Sequence, residues 1–187
     1  MASDDHTTPT ALLRQEHELI LEVAGALAEM LAGQPDEPLD YDTVSRCITF
    51  FRLYADACHH GKEEDLLFPA LAAHGLPEQA GPVAVMLHEH EEGRAMVRTM
   101  GASLPAAQAG ETAADASLTN AAADFVELIT AHIGKENNIL FDIADQLITG
   151  PACNDLCAAY GELCDELFEG RSKQDLVEIA STIVNRS

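Results

Sequence analysis

Apolar residues recur three and four apart along most of this chain, the spacing of a helix with one buried face. Leu13, Ile20, Ala24, Leu27 and Leu31 share such a stripe, and Val83, Met86, Val97 and Met100 share another. Alternation of the β type never persists beyond a few residues. Glycine, proline and small polar residues interrupt the pattern at 33–38, 75–82, 103–112 and 150–151. The stretches between predict helices at about 9–32, 41–73, 82–102, 113–148 and 153–185, the last broken near Gly170. Pro69 is expected to kink or end the second. Short connections force neighbouring helices to run antiparallel. The expected fold is therefore all-α, an up-down-up-down four-helix bundle over residues 1–150 with residues 151–187 as a helical extension packed on it.

Two groups of residues on this pattern occur twice, at one constant interval. Glu16-His17-Glu18, His59-His60-Gly61-Lys62-Glu63 and Phe68 match Glu89-His90-Glu91, His132-Ile133-Gly134-Lys135-Glu136 and Phe141. The step from His17 to His59 equals the step from His90 to His132. The bundle is then two related hairpins facing each other, about 9–75 and 82–148.

The repeated side chains lie on the apolar stripes. His17 shares the stripe of Leu13 and Ile20, and His90 that of Met86 and Val97. His59 and Glu63 are four apart, as are His132 and Glu136, so each pair projects from one helix face. Phe51, Ala55, Leu66 and Leu67 surround the first pair; Phe125, Leu128, Ile129, Ile139, Leu140 and Ile143 surround the second. A lone histidine on such a face is most often a satisfied core residue. Six groups in register are different, because two carboxylates buried on one axis without a basic residue on their stripes are strongly unfavourable. A bound dication removes that penalty. The candidate metal ligands are His17, His59, Glu63, His90, His132 and Glu136. Four imidazoles and two carboxylates able to bridge suit two non-haem iron ions, joined by oxo or hydroxo and carboxylate bridges; manganese or zinc fits the same donors. The helix motifs Glu-x-x-His and His-Glu-x-x-His are absent.

Neighbouring residues leave alternatives. His60 competes with His59, because Glu64 follows it by four; the repeat aligns His60 with Ile133, which favours His59 and leaves His60 outside the ligand set or at the surface. His88 falls on the far side of the helix from His90, and His6 and His74 read as exposed. Lys62 and Lys135, two of only three lysines, read as exposed partners of surface acids or as a rim that draws in an anion or oxidant. Cys58 and Tyr54 read as packing, or as redox-active residues near the metal.

Composition narrows the partners. A formal net charge of −22 repels nucleic acid and anionic membrane alike. No apolar run nears the length of a membrane span, and no signal-peptide pattern opens the chain, so a cytoplasmic protein is expected. Five cysteines, an odd number, do not read as a secreted disulfide framework. Cys153, Cys157 and Cys164 share one face of the last helix, either as packing or as a thiol stripe for metal or redox chemistry.

On these residues the chain resembles the hemerythrin-like, or HHE cation-binding, proteins over roughly residues 9–148. The matching segments are Arg14-Gln-Glu-His-Glu, His59-His-Gly-Lys-Glu-Glu-Asp-Leu-Leu-Phe-Pro69, Met86-Leu-His-Glu-His-Glu-Glu-Gly-Arg94 and His132-Ile-Gly-Lys-Glu-Asn-Asn-Ile-Leu-Phe141. The resemblance implies a non-haem di-iron centre inside the bundle, held by the six residues named above. Oxygen-carrying hemerythrins add a histidine four residues after the third-helix ligand and an aspartate five after the fourth-helix one; Arg94 and Asn137 stand there in this chain. It is closer to the subgroup with a His, His-x-x-x-Glu, His, His-x-x-x-Glu set. That resemblance implies a di-iron protein that binds, senses or reacts with O2, NO or peroxide. The alternatives are a di-iron enzyme of peroxidase, catalase, oxidase or cluster-repair type, or an iron storage or handling protein.

Overall fold

Thr8 starts the first helix by accepting from the Ala11 amide, with Pro9 in the first turn where its missing N–H is not needed. The structure, a computed structural model, describes residues 8–33, 39–164 and 168–185. His6, the breaker at 34–38 and the side chain of Cys164 lie outside the described residues. Six helices follow in order: α1, Pro9–Leu31; α2, 41–73; α3, Gly81–Gln108; α4, 112–147; α5, Pro151–Cys164; and α6, Lys173–Val184. No strand is present among the described residues, and no helix is long and apolar enough to cross a membrane.

Two helices change pitch at the repeated motifs. Within α2 the stretches Phe51–His60 and Glu63–Leu67 are π-helical, and within α4 Glu136–Leu140 is. Such wide turns are rare and gather at functional positions. They also account for Pro69. The wide turn Glu63–Leu67 runs directly into Phe68–Ala73, so Pro69 sits at the start of a regular segment and the helix continues to Ala73. The same effect re-aims Ile139, expected on the buried face but 52% exposed; Ile133 is buried there instead.

Helix α3 runs six residues past its expected end, through Pro105. That proline lies in the last turn, where it removes a single backbone hydrogen bond. Termination comes from Gly110 at φ +87, a conformation that suits glycine. Glu111 N–H then donates to the Ala106 carbonyl and closes the end. The expected last helix is two, separated around Gly170 at φ +80, and Ser172 with Asp175 forms a reciprocal cap at the start of α6.

The core has two parts. Leu13, Leu67, Phe68, Val83, Met86, Leu140 and Phe141 form one apolar cluster. Ile20, Leu27, Phe51, Ala55, Val97, Phe125 and Ile129 belong to the other. On each of α1 to α4 the repeated histidine falls between a residue of one cluster and a residue of the other. A polar layer therefore crosses the bundle between two dry regions. Helix α5 packs on α1 and on Glu63–Leu67, and α6 packs on α1 and α2, so the extension covers the α1–α2 side of that layer.

Candidate metal centre

Every helix of the bundle sends a histidine into the layer. His17, His59, His90 and His132 are each no more than 2% exposed, and Glu63 and Glu136 are fully buried. Their Nε2 atoms meet in pairs, His17 with His59 at 3.0 Å and His90 with His132 at 3.2 Å. Two donors at right angles around one transition-metal ion, each ~2.1 Å from it, stand ~3 Å apart.

The glutamates divide their oxygens between the pairs. Glu63 turns Oε1 to His59 at 3.8 Å and Oε2 to His90 at 3.5 Å. Glu136 turns Oε2 to His17 at 3.1 Å and Oε1 to His132 at 3.3 Å. Each histidine pair thus faces one oxygen from each carboxylate. None of the four oxygens has a hydrogen-bond partner. A buried carboxylate without a donor is strongly unfavourable, so the arrangement fits a pair of cations that the carboxylates bridge. Two overlapping groups have ligand atoms mutually within 4.8 Å: His17, His59, Glu63 and Glu136, and His60, Glu63, His90 and His132. All six candidates from the repeat are brought together, and His60 joins them.

Protonation follows from burial and neighbours. Burial holds His59 and His90 down at about 3, so both are neutral and available to a metal near pH 7. His132 differs: burial works to lower it, but Glu136 and Glu89 outweigh that and raise it. Burial, then repulsion from Glu136, pushes Glu63 well above the usual carboxylate range. Burial would raise Glu136 too, but His132 and His17 hold it well below. Without a cation the two carboxylates are forced into unequal states.

The histidines are aimed by their other nitrogens. Nδ1 of His59 donates to Glu16 at 2.9 Å and that of His132 to Glu89 at 3.0 Å. Nδ1 of His90 donates to Glu64 at 2.6 Å and that of His17 to Asn137 Oδ1 at 2.9 Å. These partners fix the tautomer that leaves Nε2 facing inward. They also obey the repeat, Glu16 matching Glu89 and Glu64 matching Asn137. Lys62 donates to Glu16 and Lys135 to Glu89. Lys62 is 1% exposed rather than a surface residue, and Lys173 of α6 joins it on Glu16. Burial works against the charge of Glu16, yet His59 and the two lysines hold its carboxyl well below the usual range.

The sequence signal for this outer layer was present, since Glu16, Glu89, Lys62 and Lys135 repeat as strictly as the histidines. What it lacked was a sign that a lysine would be buried. Phe141 stacks on His17 with ring centroids 5.3 Å apart, and Phe68 on His90 at 6.0 Å, each bridging the two hairpins. Tyr54, stacked on Phe50, and Cys58 are buried in the apolar cluster. His88 and His74 are exposed. Cys153 and Cys157 are half-buried on α5 and not joined in a disulfide.

The sequence matches the family model described as Hemerythrin HHE cation binding domain over residues 8–144. No curated protein and no solved structure matches the chain.

Proposed function

The chain belongs to the hemerythrin HHE cation-binding family, and from that premise we propose that it carries a non-haem di-iron centre that binds or reacts with O2, NO or peroxide. The ligands are His17, His59, Glu63, His90, His132 and Glu136. One observation supports a dinuclear over a mononuclear reading: Glu63 and Glu136 each offer one oxygen to each histidine pair. Iron at such a site supplies reversible electron transfer and an affinity for small oxidants. The chain holds the imidazoles neutral and fixes their direction through Glu16, Glu64, Glu89 and Asn137. The apolar clusters on both sides keep bulk water from Glu63 and Glu136.

The test is metal analysis of freshly purified protein, with its visible spectrum in air, after dithionite, and on titration with O2, NO and peroxide. The expected result is about two irons per chain, near-ultraviolet bands that bleach on reduction, and a response to at least one of the three molecules at one or two equivalents. One metal per chain, or a replete protein indifferent to all three, would overturn the reading. Turnover of many equivalents of peroxide would move it to an enzyme.

A further inference from the structure

Among the described residues, the buried side-chain polar atoms without a hydrogen-bond partner are the four oxygens of Glu63 and Glu136, His60 Nε2 and Tyr160 Oη. Unpartnered buried polar atoms are few in folded proteins and call for a reason. Bridging metals account for the four oxygens. The six-residue ligand set leaves His60 unexplained.

His60 shares burial and an oxygen partner at Nδ1 with the other four histidines, but its Nε2 meets no histidine and its ring lies flat on His90. It is 7% exposed, its ring stacks on His90 with centroids 3.7 Å apart, and its Nδ1 donates to Asp56 at 3.4 Å. Asp56 is held in turn by Arg94, which also binds Glu64, the partner of His90. Nε2 is left buried without a partner, and a ring nitrogen of His60 lies within 4.8 Å of the ligand atoms of Glu63, His90 and His132. The wide turns of Phe51–His60 explain how consecutive histidines both reach the layer. A π-helix advances less per residue than an α-helix, so neighbours diverge less.

The repeat sharpens the point. The positions that match His60, Asp56 and Arg94 in the other half are Ile133, Ile129 and Leu21. Ile133 and Ile129 are buried, and Leu21 packs against the same apolar cluster. The place between α2 and α3 has a histidine, an aspartate and an arginine where the matching place between α4 and α1 has an apolar trio. Replacing packed hydrocarbon by a partly satisfied polar network lowers stability unless something completes the network.

We propose that His60, on turning from its stack on His90, becomes a seventh ligand, through Nε2, to the metal held by His90 and His132. This rests on the dinuclear reading above. The two metal positions are then unequal, with three imidazoles on one ion and two on the other. An apolar cavity of about 360 Å³ between α2, α3 and α4, bounded by Phe51, Val97, Phe125 and Ile129, ends on His60, His90 and His132. It ends on an ion whose places His60 helps to fill.

Two variants test this. His60→Ile restores the residue type of the other half and should fold; His60→Ala leaves space beside the cavity. Wild-type protein loaded with iron-57 should give two distinct iron environments by Mössbauer spectroscopy, in equal amounts. Both variants should change one of them and spare the other. Affinity for that ion should fall by more than the roughly 10- to 100-fold expected from losing an outer partner. Free imidazole should restore the wild-type signature in His60→Ala and not in His60→Ile. Two irons in the wild type with unchanged spectra and affinity in both variants would overturn the seventh ligand alone. A wild type that never takes up a second metal would sink the dinuclear reading and this proposal with it.

Discussion

Lys62 donates from Nζ to Oε1 of Glu16, in an ion pair of which neither side chain is more than 6% exposed. The lysine stem crosses from α2 to α1, and Tyr160 of α5 lies beside it, the ammonium 6.0 Å from the ring centroid. Glu16 gives its other oxygen to His59, so the pair links a helix–helix contact to the aim of the His59 ring. Lys62→Met keeps the stem and deletes the charge, leaving a buried carboxylate without one of its three partners. Breaking a buried pair from one side costs about 3–5 kcal/mol; with Lys173 still on Glu16, the lower end is expected. Urea denaturation of metal-free protein measures it. The matching change Lys135→Met should cost far less, because Lys135 is 37% exposed. Equal losses at the two lysines would refute the assigned difference.

Glu63 and Glu136 oppose each other when no metal is present. Glu63→Gln retains the shape and removes the cost of holding Glu63 uncharged beside Glu136. The metal-free protein should become more stable, by roughly 1–2 kcal/mol, while the loaded protein retains at most one ion. Calorimetry with and without chelator, beside metal analysis, reads both effects. A variant that loses stability without metal, or that still holds two ions, would contradict the bridging role.

Much of this was legible because the repeat doubles every signal. Helical stripes marked the four bundle helices, and the equal steps from His17 to His59 and from His90 to His132 picked out the side chains that now meet. The repeat pairs His60 with Ile133 and so does not mark it. Repeat logic finds what the two halves share and is blind to what one half adds. Three features depended on tertiary geometry. Wide turns turn Ile139 outward and His60 inward, Lys62 is buried beneath α5, and α3 carries Pro105 because the helix is nearly finished there. Nothing periodic in the sequence marks any of them.

Acid should destabilise the metal-free protein. His59, His60 and His90 are held at about 3 by burial, below their ordinary 6.5. Between those values the unfolded chain binds protons that the folded chain refuses, so stability is full above pH 6.5 and falls as pH drops toward 3. Glu16 and Glu136, held low, add to the loss below 4.5. Glu63 and His132, both raised, act in the opposite sense but are outnumbered. The melting temperature with chelator present should fall by more than about 5 °C from pH 7.5 to 4.5. A flat or rising profile would mean that these imidazoles are protonated in the fold.

Tyr160 gives the extension a connection to the centre that can be measured. Its side chain is 2% exposed and packs with Leu13, Phe68 and Phe141, yet its hydroxyl has no hydrogen-bond partner. Burial, then the charges of Glu63 and Glu16, pushes that hydroxyl far above its ordinary value, so it stays a neutral donor. A donor desolvated without an acceptor is a net loss. Tyr160→Phe should therefore leave the metal-free protein as stable as before or more so, by up to about 1 kcal/mol. In the loaded protein an added anion bound beside Glu63, whose charge acts on this hydroxyl, is expected to accept from it. Azide is a suitable probe. Its affinity for the loaded protein should fall several-fold in Tyr160→Phe, with iron content unchanged. If the substitution destabilises the metal-free protein by more than about 1 kcal/mol, as loss of a satisfied hydrogen bond would, the hydroxyl already has a partner. The extension would then be bound to the bundle by that bond rather than poised for an incoming ligand.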